Sequence, residues 1–600
     1  MSVIASCRRI LFIAMVCILP VAIAAAQPET LPVDQIAAGM KGVAKTVVTG
    51  TQIEEFGVEV LGIMKSKGPS GDLILVRTYG DVIDRTGGIA QGMSGSPVYI
   101  DGKLIGAIAY GWSLTDHRTG MVTPIADMLK LWNIQENSDS LANGLFMHLP
   151  DSAAPVATPL MASGFGGQAL ELLKKELQPY HLVPYAVGEA PAGVSFAELS
   201  PGSAVGVELV RGDVSLGALG TVTYAEGDKI LAFGHPFLKK GSSGYFMTNA
   251  YMFTTVSGLE NSFKVGAIGQ AVGLINQDRG AGVAGQLNRY PNIVPVRVSV
   301  TDANMNRVQE SAVQVIRDEQ LTPVLAAATV FNLVEKTSDR VGPGTAHVSF
   351  EIMSPELPDG VLKRDNMFYS SSSIGELAIT EIHEALALLA GNQFKPVDIV
   401  DVNIAIAVDE SRRTAAIIEA KAASDTASPG DTVNIEVKLK PFRGEIVTRV
   451  VPFTIPKDTK PGTLLLEVRG GGMISLTSLL LKLQGLDGLL AKPAKDKQKS
   501  IADIVKEFSD RDRNNDLVVE IMDTEQEVLL NAPDSPPGAA KKKTKEPQEP
   551  KPPAVKNSLP NVEKPVLKAE EQKPVKARSK TDYIIDSGEA QVAITVNPVH

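Results

Sequence analysis

The apolar residues of this chain come in short runs with turn formers on both sides. That spacing leaves little room for anything but strands. Val58-Glu59-Val60-Leu61-Gly62-Ile63 alternates in part, and Leu73-Ile74-Leu75-Val76 and Leu104-Ile105-Gly106-Ala107-Ile108 are runs of strand length. Glycine (53) and proline (38) punctuate the 600 residues, while aromatics supply only 5%. β-Branched side chains suit a pleated, half-buried surface, and glycine suits its bends. The length predicts three or four domains at ~150 residues each.

Read along its length, the chain divides by composition. A β-rich block is expected at 27–150, closing on a short helix from Pro124 to Trp132 opened by its proline. Residues 151–189 read as a linker with an amphipathic helix, Gly167 to Leu177. A second β-rich block spans 190–355, with strands at 206–210, 216–224, 229–233, 296–300 and 346–352. A helical connector (356–395) follows, its periodic part running from Ser373 to Ala390. Alternating runs at 396–472, with Pro429-Gly430-Asp431 and Pro461-Gly462-Thr463 as turns, have the signature of a small β-sandwich. Residues 473–531 read as helical, with Leu479 to Leu490 very rich in leucine. The Lys/Pro/Glu-rich stretch 532–580 cannot bury a core and is expected to be disordered. The last segment, 581–600, reads as a strand able to extend a sheet of this protein or of a partner.

The first 26 residues have the pattern of a signal peptide. Arg8-Arg9 is followed by an apolar run from Ile10 to Ile23 and by Ala24-Ala25-Ala26. The run is too short for a comfortable membrane span. Removal of the segment takes both cysteines, Cys7 and Cys17, and shifts the formal charge from -10 to -12 through loss of Arg8 and Arg9. The reading is an exported protein, periplasmic or extracellular, without disulfides and without a membrane anchor after cleavage. A cysteine nucleophile and a thiolate metal site are thereby excluded, and the acidic balance does not invite nucleic acid. No metal or cofactor is expected. His383-Glu384 lacks a second histidine at zinc-motif spacing.

Chemistry concentrates at Gly92-Met93-Ser94-Gly95-Ser96-Pro97, a serine between glycines just before the apolar run Val98-Tyr99-Ile100. Glycine permits a tight turn and close approach to its amides. A serine there can act as nucleophile, with the amides of Gly92 and Ser94 as an oxyanion hole. The spacing resembles the Gly-x-Ser-Gly-x-Pro core of chymotrypsin-like peptidases. It departs from the hydrolase elbow Gly-x-Ser-x-Gly, because Ser96 stands where that motif has glycine. The bland alternative is an ordinary turn feeding a strand. Among the histidines, His117 follows Asp116 in a polar loop, and His235 ends a strand between Gly234 and Pro236.

Two blocks together resemble the SpoIVB-type serine peptidases. One is Thr86-Gly87-Gly88-Ile89-Ala90-Gln91-Gly92-Met93-Ser94-Gly95-Ser96-Pro97-Val98, continued by Asp101-Gly102-Lys103-Leu104-Ile105-Gly106-Ala107. The other runs from Gly220-Thr221-Val222-Thr223-Tyr224 to Leu231-Ala232-Phe233-Gly234-His235. The resemblance covers about residues 30–330. It implies Ser94 as nucleophile and His235 as general base, in a mainly β, two-half chymotrypsin-like barrel domain followed by a helix, a β-sandwich and a disordered tail. In the peptidase that names the family the histidine half comes first. Here Ser94 precedes His235, so the halves look permuted. The family's acid falls at Tyr79 in an ungapped alignment, leaving Asp84 and Asp81 as the neighbouring candidates.

The reading of function is an exported serine endopeptidase acting on a limited set of envelope or signalling proteins, itself included. The alternative is a non-catalytic envelope scaffold that keeps the barrel and binds a partner through the sandwich or the C-terminal strand.

Overall fold

The computed structural model describes residues 29–68, 71–112, 115–134, 153–155, 159–258, 262–473, 500–522 and 575–598. The expected signal peptide, the leucine-rich run 479–490 and the Lys/Pro/Glu-rich stretch up to 574 lie outside the described residues.

The short apolar runs are strands, and the first six close on themselves. They are β1 (Lys41–Val47), β2 (Ile53–Gly68), β3 (Gly71–Tyr79), β4 (Pro97–Ile100), β5 (Lys103–Trp112) and β6 (Thr119–Pro124). The hydrogen-bonded order is β4-β1-β2-β3-β6-β5, and pairing of β4 with β5 completes the ring. Alternation decides which side chains point inward. Val58 and Val60 of β2 meet Ile74 and Val76 of β3 and Ile108 and Val122 of β5 and β6 in one buried cluster. Each such side chain contributes about 1.5–3 kcal/mol when fully buried. Helix α1 (Asp81–Thr86) leads from β3 toward the serine turn, and α2 (Ile125–Leu129) leaves β6 where the helix opened by Pro124 was expected.

A short strand β7 (Ala153–Pro155) pairs with β5. Next come β8 (Leu160–Ser163), helix α3 (Gly167–Leu177) and β9 (Pro184–Val187). This stretch was expected to be a linker with a helix. Its helix has the expected bounds, but β8 pairs with a strand of the following unit and β9 lies parallel to β8. The stretch is therefore part of that unit.

The second unit contains a second ring. Its strands are β10 (Ala204–Gly212), β11 (Ser215–Glu226), β12 (Lys229–Ala232), β13 (Gly241–Val256), β14 (Phe263–Arg279) and β15 (Gly282–Leu287). The order β10-β13-β14-β15-β12-β11 closes through pairing of β10 with β11. Strand β14 is long and carries register shifts against both neighbours, which let it wrap the ring. From β10 the sheet runs on through β17 (Arg307–Ile316), β16 (Ile293–Asp302), β20 (Asp401–Asp409), β18 (Gly344–Met353) and β19 (Val361–Ser370). The unit thus reaches Asp409, beyond the boundary at 355 expected from composition. Helix α4 (Leu321–Ser338) is buried almost all round beneath this extension. Its Glu335 accepts from the amides of Gln168 and Ala169, capping α3 from another element. The periodic segment after Ser373 is two helices, α5 (Ile374–Ala378) and α6 (Thr380–Ala390).

The sandwich is present, and the chain end completes it. One sheet holds Thr414–Ala422, Thr432–Pro441, Val447–Thr454 and Ile584–Ser587. The other holds Thr426–Ala427, Gly462–Gly470, Asp516–Ile521, Lys576–Lys580 and Ala590–Val596. Two expectations change here. Residues 516–521 are a strand within a region expected to be helical, where only Ile501–Ser509 of the described residues forms a helix. Residues 576–580 are a strand at the end of the stretch expected to be disordered. The C-terminal strand Ala590–Val596 extends a sheet of this protein, as the sequence allowed: it pairs along its length with Gly462–Gly470, and at Thr595 and Val596 also with Thr426–Ala427. Its Val592, Ile594 and Val596 alternate into the sandwich core.

Candidate active site

The serine turn lies where the two rings meet. Within the turn, the Met93 amide bonds to Ala90, the Ser96 amide and hydroxyl bond to the Met93 carbonyl, and the Gly95 amide bonds to Ile108 of β5. Its outward carbonyls are taken by the other ring. The Thr221 amide donates to the Ser94 carbonyl at 2.9 Å, the Thr221 hydroxyl to Gly92 at 3.2 Å, and the Thr223 hydroxyl to Gly95 at 2.8 Å. Gly95 sits at φ +94, and a Cβ there would lie 1.9 Å from the Thr221 carbonyl oxygen. Only glycine meets both demands. Among the described residues, the amides of Gly92 and Ser94 make no hydrogen bond. These are the two donors expected of an oxyanion hole.

His235 comes from the second ring. Strand β12 ends in two left-handed residues, Phe233 at φ +71 and Gly234 at φ +70, and the chain then turns at His235. A bulky residue in that region is strained, and such strain collects at functional sites. The Gly234 carbonyl accepts the Thr123 hydroxyl of the first ring at 2.6 Å, which ties the histidine turn across the interface. The imidazole lies near Tyr110 and Phe233, with ring centroids 6.1 and 5.9 Å away. Its Nδ1 is 2.8 Å from the Pro236 carbonyl oxygen.

Ser94 and His235 are brought into one region. The Phe233 amide nitrogen would stand 2.6 Å from a Cβ on Gly95, one residue beyond the serine. The two side chains are not hydrogen-bonded: among the described residues nothing bonds the Ser94 Oγ. Both are enclosed, Ser94 at 0% and His235 at 2% exposure. The candidate acids are elsewhere. Asp84 pairs with Arg118 and Asp81 with Arg85, at 59% and 84% side-chain exposure. Both carboxylates are held in these exposed ion pairs on the surface of α1. His117 is half-buried in its loop, where its carbonyl accepts the Ile89 amide.

Two buried titratable residues were not anticipated, and both lie on β14. Lys264 is wholly buried beside the serine turn. Its amide donates to the Gln91 carbonyl, its stem packs on Gly92, and its Nζ donates to the Thr46 hydroxyl at 2.8 Å. With the Thr46 hydroxyl as its hydrogen-bond partner, the ammonium is disfavoured by burial, which pulls its pKa down to about 7. Asp278 is equally buried and faces the histidine turn. Burial pushes its carboxyl up to about 6, opposed by the amides of Leu238 and Phe237. In the sequence, a lysine and an aspartate inside apolar alternation were the only signals available.

Residues 23–129 match the family model described as SpoIVB peptidase S55. Over these residues, the serine-bearing barrel is similar to that family. The match takes in the serine turn and ends at α2, before the ring that carries His235. The fold is mainly β, and its closed six-stranded N-terminal barrel agrees with a chymotrypsin-like domain. A peptidase of this family acts on protein substrates. No curated protein matches the chain, and no solved structure matches it. Among the described residues no helix is long and apolar enough to cross a membrane.

Proposed function

We propose that the chain is an exported serine endopeptidase that cleaves a limited set of envelope or signalling proteins, its own chain among them. The Ser94 Oγ attacks the scissile carbonyl carbon as its proton passes to His235 Nε2. The charge that develops on the former carbonyl oxygen is held by the Gly92 and Ser94 amides. His235 then gives the proton to the leaving amine, and water releases the acyl group by the same path in reverse. The observation that carries this reading is the docking of the serine turn. The second ring satisfies its carbonyls and leaves two amides beside Ser94. The serine barrel precedes the histidine barrel, an order the site tolerates because a triad is defined by geometry and not by chain position.

The scaffold alternative also has an observation in its favour: Ser94 is fully enclosed and lacks a hydrogen bond to His235. A fluorophosphonate probe on the full chain separates the two. Labelling that disappears in Ser94→Ala supports the peptidase, and an unlabelled wild type supports the scaffold.

A further inference from the structure

The two acids expected from the sequence, both on α1, are paired with arginines, and the turn around His235 supplies a partner for its ring. A carbonyl oxygen can only accept, so the 2.8 Å contact between His235 Nδ1 and the Pro236 carbonyl requires the proton on Nδ1. Nε2 is then the proton-accepting nitrogen of the neutral ring. The job an aspartate does for the histidine of a chymotrypsin-like triad falls here to a backbone carbonyl. Such a carbonyl is only as well placed as the turn that carries it.

That turn is built around one carboxylate. Asp278 Oδ1 accepts the Phe237 amide and Oδ2 the Leu238 amide, each at 2.7 Å. The amides of Lys239 and Lys240 are also turned toward it, and the Tyr245 hydroxyl lies 3.5 Å from Oδ2. The residues on either side of the turn, Phe233 and Lys239, have positive φ. A strained turn of this kind persists only when its surroundings over-determine it. Asp278 is the buried group that does so from inside.

We propose that Asp278 is the positioning residue of the proposed peptidase site, holding turn 235–238 so that the Pro236 carbonyl sets the Nδ1–H tautomer of His235. The inference rests on the reading of His235 as general base. It places the acid one step behind the histidine, on β14, and not on α1. Asp278→Asn puts an amide N–H against one of two backbone N–H donors, so the turn shifts without loss of volume.

The test uses the full chain with histidine selectively labelled with ¹⁵N, His235→Gln serving to assign the His235 signals. Above neutral pH the wild type is expected to show His235 protonated at Nδ1. Asp278→Asn is expected to show a mixture of tautomers, and its rate of fluorophosphonate labelling at Ser94 is expected to fall about 10²-fold. An Nε2–H tautomer in the wild type overturns the proposal. So does Asp278→Asn with unchanged tautomer and labelling rate. If Asp278→Asn does not fold, Asp278→Glu replaces it. That variant keeps the charge on a longer arm and must still mix the tautomers; an unmixed tautomer there overturns the proposal. A wild type that never labels but holds the Nδ1–H tautomer, lost on substitution of Asp278, ends the peptidase reading and leaves the positioning role standing.

Discussion

The two turns that meet at the site are held in different ways. The serine turn is clamped from outside its own barrel, with Thr221 and Thr223 of the second ring taking its carbonyls. The histidine turn is held mainly from within its own ring, by Asp278. The nucleophile's place therefore depends on docking of the barrels, whereas the base's place depends on one buried carboxylate. Strand β14 touches both turns, with Lys264 at one end and Asp278 at the other. Substitutions that weaken docking should damage the serine side first.

The largest effect is expected on the chemistry itself. His235→Ala should lower turnover by ~10⁴ or more, as loss of a triad member does. Ser94→Ala should abolish probe labelling and self-processing. Because the buried Ser94 Oγ has no hydrogen bond among the described residues, its removal should leave thermal stability unchanged or slightly raised. Equal loss in His117→Ala would move the base into the serine barrel and dissolve the contrast between the turns.

Gly95→Ala tests docking directly. Its Cβ would meet the Thr221 carbonyl at 1.9 Å with φ at +94, so the rings must part. A destabilisation of ~3 kcal/mol or more in denaturant titration is expected. A variant with wild-type stability would mean that the interface yields easily.

Lys264→Met tests the serine end of β14 through pH. The folded pKa of about 7 lies below the ordinary lysine value of ~10.4. Between those values the unfolded chain holds a proton that the folded chain lacks, so stability rises with pH across that window. Below about pH 7 the full penalty applies, on the order of 4–5 kcal/mol. Lys264→Met should remove the slope and be most stabilising relative to wild type at and below neutral pH. Parallel stability curves for the two proteins between pH 7 and pH 10 would show that Lys264 keeps its charge.

The smallest effect is expected at the surface. Asp84→Asn removes an exposed pair with Arg118 and should change stability by less than about 0.5 kcal/mol, with probe labelling as in wild type. A large loss of labelling would return the acid to α1.

Much of this was legible in the residues, for reasons that are local. The runs at 73–76, 104–108 and 216–224 are strands because alternation and turn formers act within a few residues. Gly92 and Gly95 announced a tight turn, and Gly234-His235-Pro236 announced a placed histidine, because glycine and proline carry backbone constraints of their own. Helix α4 escaped notice because it is buried on nearly every face and so lacks an amphipathic period. The helix expected from Ser373 to Ala390 was read from real periodicity, but its break at Ile379 was not.

By itself, the sequence determined the fold class, the chemistry available at Ser94 and His235, and the absence of cysteine beyond residue 17. Tertiary structure alone decided which strands close each ring, that the chain end returns to the sandwich, and that a carboxylate 43 residues beyond His235 stands beneath its turn. Strand formation is driven by neighbours in the chain. Ring closure and the burial of Lys264 and Asp278 depend on which distant surfaces exclude water together, and no local pattern encodes that.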